Sequence, residues 1–485
     1  MSLETEQRSQ RPIGLATVVL VLVAVGGGVA AGAAWRVGAQ ADATMVGSAV
    51  VVLAGVVLGL VSITRYWAFL LVMIAIRSGV DMFLPEAGGG TTDTESLGVS
   101  PTIVIGVLFL ASSWAWLVSQ RLAGRLYPLS VPSRWGLAFV GVGLVGVPIS
   151  ISPGISASSV LKSLALVTML VVTEQIFRSD PGRLRPLLVA LGASLVIPVI
   201  TGLGQLSGAG FVDESIDINR IHGSFVHPNA LSTYAAIMLA YALALRSTFT
   251  GSARVAVYAA GTAAGFLLLY SYGRAAWIGG LVAILVVGVL RDRRLLVTGA
   301  VGMIAIFLLV PSVTERLSDL DSEPRYEGVP PNSLAWRMDY WERVLDAAEG
   351  RPILGIGLDS VPLVMDEELQ AHNSVVQAYA EMGLLGLVAL LGFVLSTIVL
   401  VRRGLDRAPP GLPRDMMVGV AAAAASVLAQ LLSENMLTAV APLWYLMAGL
   451  GYAAAMAARP VDEPEADGSV ELPVGQGEVG AHRQT

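Results

Sequence analysis

Long apolar runs broken by short polar stretches fill the chain from Ile13 to Met456. A helix crosses the hydrocarbon core of a bilayer in about 20 residues, and its backbone groups must be satisfied within the segment. Each run of that order therefore predicts a membrane-spanning helix. The runs are Ile13–Ala34, Met45–Ile63, Tyr66–Leu84, Thr102–Val118, Trp135–Ile149, Ser159–Phe177, Leu184–Leu206, Ala230–Leu245, Val255–Tyr270, Ala275–Leu290, Leu295–Val310, Gly383–Val401, Met416–Leu432 and Met436–Met456. The pattern predicts an all-α polytopic bundle of about 12–14 helices, the lower number applying if short runs such as Trp135–Ile149 are re-entrant. The first run is too long for a signal-peptide core and shows no clear cleavage site, so it reads as a retained span.

Composition agrees: 55% of residues are hydrophobic and only 14% are charged. A soluble domain of this length could not hide so much apolar surface. The net charge of -6 says little. There is no cysteine, which excludes disulfides and thiolate metal sites. Lys162 is the only lysine among many arginines, as a GC-rich coding bias would produce.

Charge gives the orientation. One set of alternate loops holds Arg8 and Arg11, Arg65, Arg121 to Arg134, Arg178 to Arg185, Arg246 and Arg254, Arg291 to Arg294, and Arg402 to Arg407. The positive-inside rule makes those loops cytoplasmic, with both termini inside. Residues 1–458 form the expected membrane domain. The acidic tail 459–485, rich in Gly, Pro and Glu, reads as disordered. Two exoplasmic loops are substantial, Ser207–Asn229 and Pro311–Ala371, and the second is long enough to carry its own structure.

Three of the four histidines, His222, His227 and His372, fall on this outer face, and His482 lies in the tail. Arg220, Arg274 and Arg337 stand there too, where a positive-inside protein has no topological need of arginine. Pro228 suits an early helix position, and the free N–H groups of that helix start, beside Arg220, His222, His227 and Asn229, suit an anion. A polar interfacial loop with a snorkelling arginine is the plainer alternative. Arg274 sits in "SYGR", where small neighbours allow close approach. His372 opens the span after the large loop. It reads as a functional group or as part of a helix cap, a role Asn373 fits better.

Within the large loop, Asn332 to Gly350 predicts an amphipathic helix. Trp336, Tyr340, Val344 and Ala348 recur on one face, which would lie on the membrane or on the bundle. Arg337 lies on the edge of that stripe and is open to a structural as well as a binding role. "GIG" at Gly355–Gly357 predicts a tight return to the membrane. Asp319 and Asp321 could pair on a divalent ion, but they sit in a generally acidic stretch. Gly88–Gly90 lack the strand and lysine of a phosphate loop.

Taken in order, "GSFVHPNALSTY", "SYGRAAW", "WRMDYWERVLDAAEGRPILGIG" and "AHNSVVQAYAEMGLLG" resemble the O-antigen ligase and O-antigen polymerase superfamily of bacterial envelope glycosyltransferases. The resemblance covers roughly Leu184 to Leu400. It implies a glycosyltransferase C-like membrane enzyme that needs no metal or other cofactor. The donor would be a glycan on undecaprenyl pyrophosphate, transferred outside the cytoplasmic membrane to a glycan, lipid or cell-wall acceptor. Nucleic acid has no part in it. By the same resemblance, Arg220 and Arg274 would hold the pyrophosphate, with Arg337, His222, His227, Asn229 and Asn373 as further substrate-binding candidates. His372 would be the catalytic base.

The rival from another class is a solute transporter. Transporters often show internal repeats and midplane charges. No repeat is evident here, and the unusual charges gather at one face. A membrane scaffold would leave that cluster unexplained.

Overall fold

A computed structural model describes residues 55, 57–83, 101–208, 211–213, 218–309, 333–437 and 439–460. The run Ile13–Ala34, most of Met45–Ile63, Gly88–Gly90, Asp319, Asp321 and the tail with His482 lie outside the described residues.

The helices are α1 (Tyr66–Val80), α2 (Pro101–Leu122), α3 (Val131–Gly146), α4 (Pro153–Ser179), α5 (Leu184–Ser194) and α6 (Val196–Gln205). A short antiparallel pair follows, β1 (Phe211–Asp213) and β2 (Ile218–Arg220), with Phe211 opposite Arg220. Then come α7 (Pro228–Leu245), α8 (Gly251–Tyr270), α9 (Arg274–Leu290), α10 (Arg294–Leu309), α11 (Ser333–Ala348), α12 (Ser374–Arg407), α13 (Leu412–Gln430) and α14 (Val440–Ala457). Among the described residues, nine helical stretches are long and apolar enough to cross a membrane, and α1, α9 and the first part of α10 are shorter apolar helices. The chain is an all-α polytopic membrane protein, as the hydrophobic pattern predicts.

The middle of the bundle is α4, α7, α13 and α14, buried on nearly every side. Their facing surfaces are rich in small residues, such as Ala421 to Ala424 and Ala453 to Ala455. Small side chains let membrane helices approach closely, and packing contact then replaces the hydrophobic drive that lipid cannot supply. By contrast, α2 and α8 leave most of their apolar surface open.

Two spans depart from straight rods. The run Leu184–Leu206 divides at Leu195 into α5 and α6. Pro198 has no N–H to give the carbonyl four residues back. That carbonyl, on Ser194, accepts instead from the Ser78 hydroxyl at 2.6 Å. The break is thus satisfied by a neighbouring helix.

The second departure is α12, which begins nine residues before the predicted span and breaks at Gly383, with φ 62° and ψ -161°. The segment around Gly355–Gly357 does not simply turn back to the membrane as "GIG" suggested; it crosses the break. The Ile356 and Gly357 amides donate to the carbonyls of Ala380 and Glu381, at 3.0 and 2.9 Å. In return, the Leu384 and Leu385 amides donate to Pro352 and Ile353. Side chains are excluded at the crossing. A Cβ on Gly383 would lie 2.2 Å from the Ile353 carbonyl carbon, and one on Gly355 would lie 2.2 Å from that of Glu381.

Helix α11 matches its predicted stripe. Tyr340, Val344 and Ala348 bury against Ile356, Val361, Ala371 and Ala380, so the apolar face packs on its own loop and the start of α12. Tyr340 donates its hydroxyl to the Leu369 carbonyl, and Trp341 Nε1 donates to the Ala371 carbonyl at 2.7 Å.

The two ends of the bundle differ in charge. The arginine-rich loops share one end, where Arg246 pairs with Asp292, Arg291 with Asp415, and Arg178 with the buried Glu174. The turns after α6 and α8 and the starts of α7, α9, α12 and α14 share the other.

Candidate functional site

At this second end, segments from across the chain converge. The Ile221 amide donates to the Tyr270 carbonyl at 3.1 Å, tying the segment after β2 to the last turn of α8. Arg220 is thereby drawn into the protein and is only 5% exposed. Its Nε donates to the Ser271 carbonyl at 2.9 Å, and an Nη donates to Asn229 Oδ1 at 2.7 Å. Arg274 begins α9 one turn beyond Ser271, and the side chain is partly buried. Tyr272, between them, takes a left-handed backbone with φ 51°.

His227 caps α7, with Pro228 in the first turn. Its Nδ1 accepts from the Asn229 amide at 3.1 Å, which requires that nitrogen to be unprotonated. Although one side of the ring is open, desolvation by the surrounding protein and the Arg220 charge lower its pKa to about 4. His227 is therefore a neutral imidazole. Both ring nitrogens of His222 are taken up by structural partners: Nδ1 lies 2.6 Å from the Phe225 carbonyl in its own loop, and Nε2 lies 2.9 Å from Gln205 Nε2 at the end of α6.

His372 stands between pinned neighbours. Ala371 is held by Trp341 and by Gln377, whose Oε1 accepts the Ala371 amide at 2.8 Å. Asn373 is the N-cap of α12, and its side chain accepts from the Val375 and Val376 amides at 2.9 and 3.2 Å. A cap of this kind satisfies amides that the first helical turn leaves open. Asn373 thus has the capping role that its position suggested. His372 itself takes φ 48°, a left-handed backbone uncommon outside glycine.

The residue that sequence reasoning missed is Glu434, in the turn between α13 and α14. One carboxylate oxygen lies 3.8 Å from His372 Nδ1. The same carboxylate accepts from Asn229 Nδ2 at 3.1 and 3.3 Å. Asn229 therefore bridges Arg220 to Glu434, and Glu434 faces His372. The turn is fixed by Ser374, whose hydroxyl donates to the Glu434 carbonyl at 2.9 Å and accepts the Met436 amide at 2.8 Å. From the loop side, an Nη of Arg337 donates to the Ser433 carbonyl at 2.8 Å. Burial pushes the Glu434 carboxyl up, but the adjacent His372 and the Arg337 guanidinium outweigh it and hold the pKa below the usual carboxylate value. Glu434 is anionic at neutral pH.

The structure thus gathers Arg220, His227, Asn229, Arg337 and His372 around Glu434, with Arg274 on the adjacent helix start. His222 and Asn373 flank this group in supporting positions. Chemically, the cluster offers guanidinium forks for an anion, and an imidazole backed by a carboxylate for a proton. One signal could have found Glu434: it is the lone acid in "SENM", in a very short break between two apolar runs at the end of the bundle away from the arginine-rich loops.

Residues 255–391 match the model of a protein family described as O-antigen ligase. The match spans α8 to the first part of α12 and includes Arg274, Arg337 and His372; Arg220, Asn229 and Glu434 lie beyond its limits. No curated protein matches the chain.

Proposed function

From the premise that residues 255–391 match an O-antigen ligase family model within a polytopic membrane protein, we propose that the chain transfers or polymerises a glycan from undecaprenyl pyrophosphate onto an acceptor hydroxyl at the outer face of the cytoplasmic membrane. The observation that carries this reading is the join of Arg220 through Asn229 to Glu434 and on to His372, at the end of the bundle opposite the arginine-rich loops.

A pyrophosphate is a good leaving group once its charge is matched, and arginine forks can do this without a metal. Arg220 and Arg274 carry that task, with Arg337 beside them. Cations already held in place in a partly dry site stabilise developing charge with little reorganisation. His372 accepts the acceptor hydroxyl's proton as the oxygen attacks the anomeric carbon, and Glu434 steadies the imidazolium that forms. Attack opposite the pyrophosphate inverts the anomeric centre. His227, neutral and hydrogen-bonded through Nδ1, lines the anion side.

The test is the reaction of purified protein with an undecaprenyl-pyrophosphate glycan, resolved by product size, with and without EDTA. A ladder of products marks a polymerase, and a single addition marks a ligase. Absence of transfer to every acceptor class by well-folded protein would overturn the reading. Loss on chelation with rescue by magnesium or manganese would bring Asp319 and Asp321 forward as ligands.

A further inference from the structure

The 3.8 Å between His372 Nδ1 and the Glu434 carboxylate is longer than a hydrogen bond. The contact therefore does not fix its own length, and the main chain on either side has to do so. Two glutamines, Gln370 and Gln377, reach both sides.

Gln377 lies in the first turn of α12 and is fully buried. Its Oε1 accepts the amide of Ala371, the residue before His372, at 2.8 Å. That amide is buried ahead of the helix, so it needs an acceptor from outside the helical ladder. Gln377 Nε2 donates one hydrogen to Gln370 Oε1 and the other to Glu381 Oε1. The orientation of this amide is determined: the reverse would set its N–H groups against the Ala371 N–H and its oxygen against Glu381. Glu381 is buried as well, and the same carboxyl oxygen accepts the Val361 amide at 3.2 Å.

Gln370 carries the link to the other side. Its Oε1 also accepts from Asn435 Nδ2 at 3.1 Å, while its Nε2 donates to Asp359 Oδ1 at 2.6 Å. Asn435 follows Glu434, and its Oδ1 accepts the Leu437 amide at 3.1 Å, so this side chain belongs to the turn. Gln377 thus holds the residue before the histidine directly and, through Gln370, the residue after the carboxylate. We propose that Gln377 is a positioning residue for the His372–Glu434 pair, setting the separation of imidazole and carboxylate through this two-armed link. A displacement of about 1 Å in a reacting group can cost about 100-fold in rate. The effect on rate rests on the reading of His372 as the base in glycan transfer, whereas the effect on geometry does not.

The experiment uses the full chain in nanodiscs and Gln377→Met, which nearly keeps the volume and removes the amide. Because the chain has no cysteine, His372→Cys and Glu434→Cys can be joined by a short thiol-specific cross-linker. Cross-linking should slow several-fold when Gln377→Met is added, and an unchanged rate in folded protein would overturn the proposal whatever the activity. With His372 and Glu434 intact, Gln377→Met should lower kcat about 10- to 100-fold while affinity for an undecaprenyl-pyrophosphate glycan is kept. In a His372→Ala background it should cost nothing further, since its effect passes through His372. The same loss in both backgrounds, or weaker donor affinity at unchanged kcat, would overturn the proposal. Normal transfer by folded His372→Ala would instead overturn the base, and the cross-link would still decide the geometry. Gln370→Met, at a half-buried position, cuts only the arm to Asn435 and should show the same pattern. It decides the matter if Gln377→Met does not fold.

Discussion

His372 Nδ1 lies 3.8 Å from a carboxylate oxygen of Glu434, so the residue before the α12 cap and an acid from the turn between α13 and α14 face each other. If His372 is the base, a carboxylate at this distance stabilises the charge that develops on the ring in the transition state. Glu434→Gln should preserve the contact with Asn229 but remove the charge. Turnover is expected to fall about 10- to 100-fold, less than the about 10²–10⁴-fold typical of losing the base itself. Unchanged turnover by folded Glu434→Gln would leave the carboxylate a purely structural part.

The arginines should behave differently from His372. His372→Ala is expected to lower turnover while lipid-linked donor still binds. Arg220→Ala or Arg274→Ala should weaken both, because pyrophosphate charge is present in ground and transition states alike. Lysine should restore function only in part, since a point charge lacks the planar fork. Donor binding measured apart from turnover separates the two classes. Arg220→Ala also removes the contacts to Ser271 and Asn229, so folding must be checked alongside. If folded His372→Ala transfers glycan normally, the proposed base is wrong.

His227 offers a pH test. Its folded pKa, about 4, lies below the ordinary 6.5. Any stability it contributes is therefore complete above the ordinary value and is lost as pH falls from there towards about 4. With only four histidines in the chain, ring resonances can be assigned by substitution. The His227 ring should show no titration across neutral pH. A midpoint near 6.5 would contradict the Nδ1 hydrogen bond.

Gly383→Ala should destabilise the protein by about 2–4 kcal/mol, through left-handed backbone strain and collision with Ile353. Gly192→Ala is the control. That helical glycine has open space around its missing Cβ, and alanine there should be neutral or slightly stabilising. Thermal unfolding of the two variants in one detergent makes the comparison.

Orientation can be read with reporter fusions. Fusions at Glu349 and at Asp406 should report opposite compartments, with Glu349 outside. A cytoplasmic signal at Glu349 would overturn the proposed outer-face chemistry.

Much of the bundle was legible in sequence, because spans and charged loops are local patterns. The stripe of α11 and the Asn373 cap were equally visible, each depending on residues within a few turns. The two broken helices were hidden for a physical reason. Pro198 marks a weak point, but whether a span divides there depends on Ser78, over a hundred residues away. The break at Gly383 depends on the chain at Ile353–Gly357. Glu434 was concealed in the same way: a three-dimensional turn brings it to His372, whereas in sequence it is one acid in a short connection.

The crossing at Gly383 makes the break in α12 a fixed joint rather than a hinge. Its exposed amides and carbonyls are taken up by residues 352–357, and no side chain separates the two strands of backbone. The loop carrying Arg337 and the helix start carrying His372 are consequently one rigid body. If the proposed transfer takes place here, the wall left to open is the other one, where Arg220 and Asn229 meet the turn of Glu434 through a few side-chain hydrogen bonds.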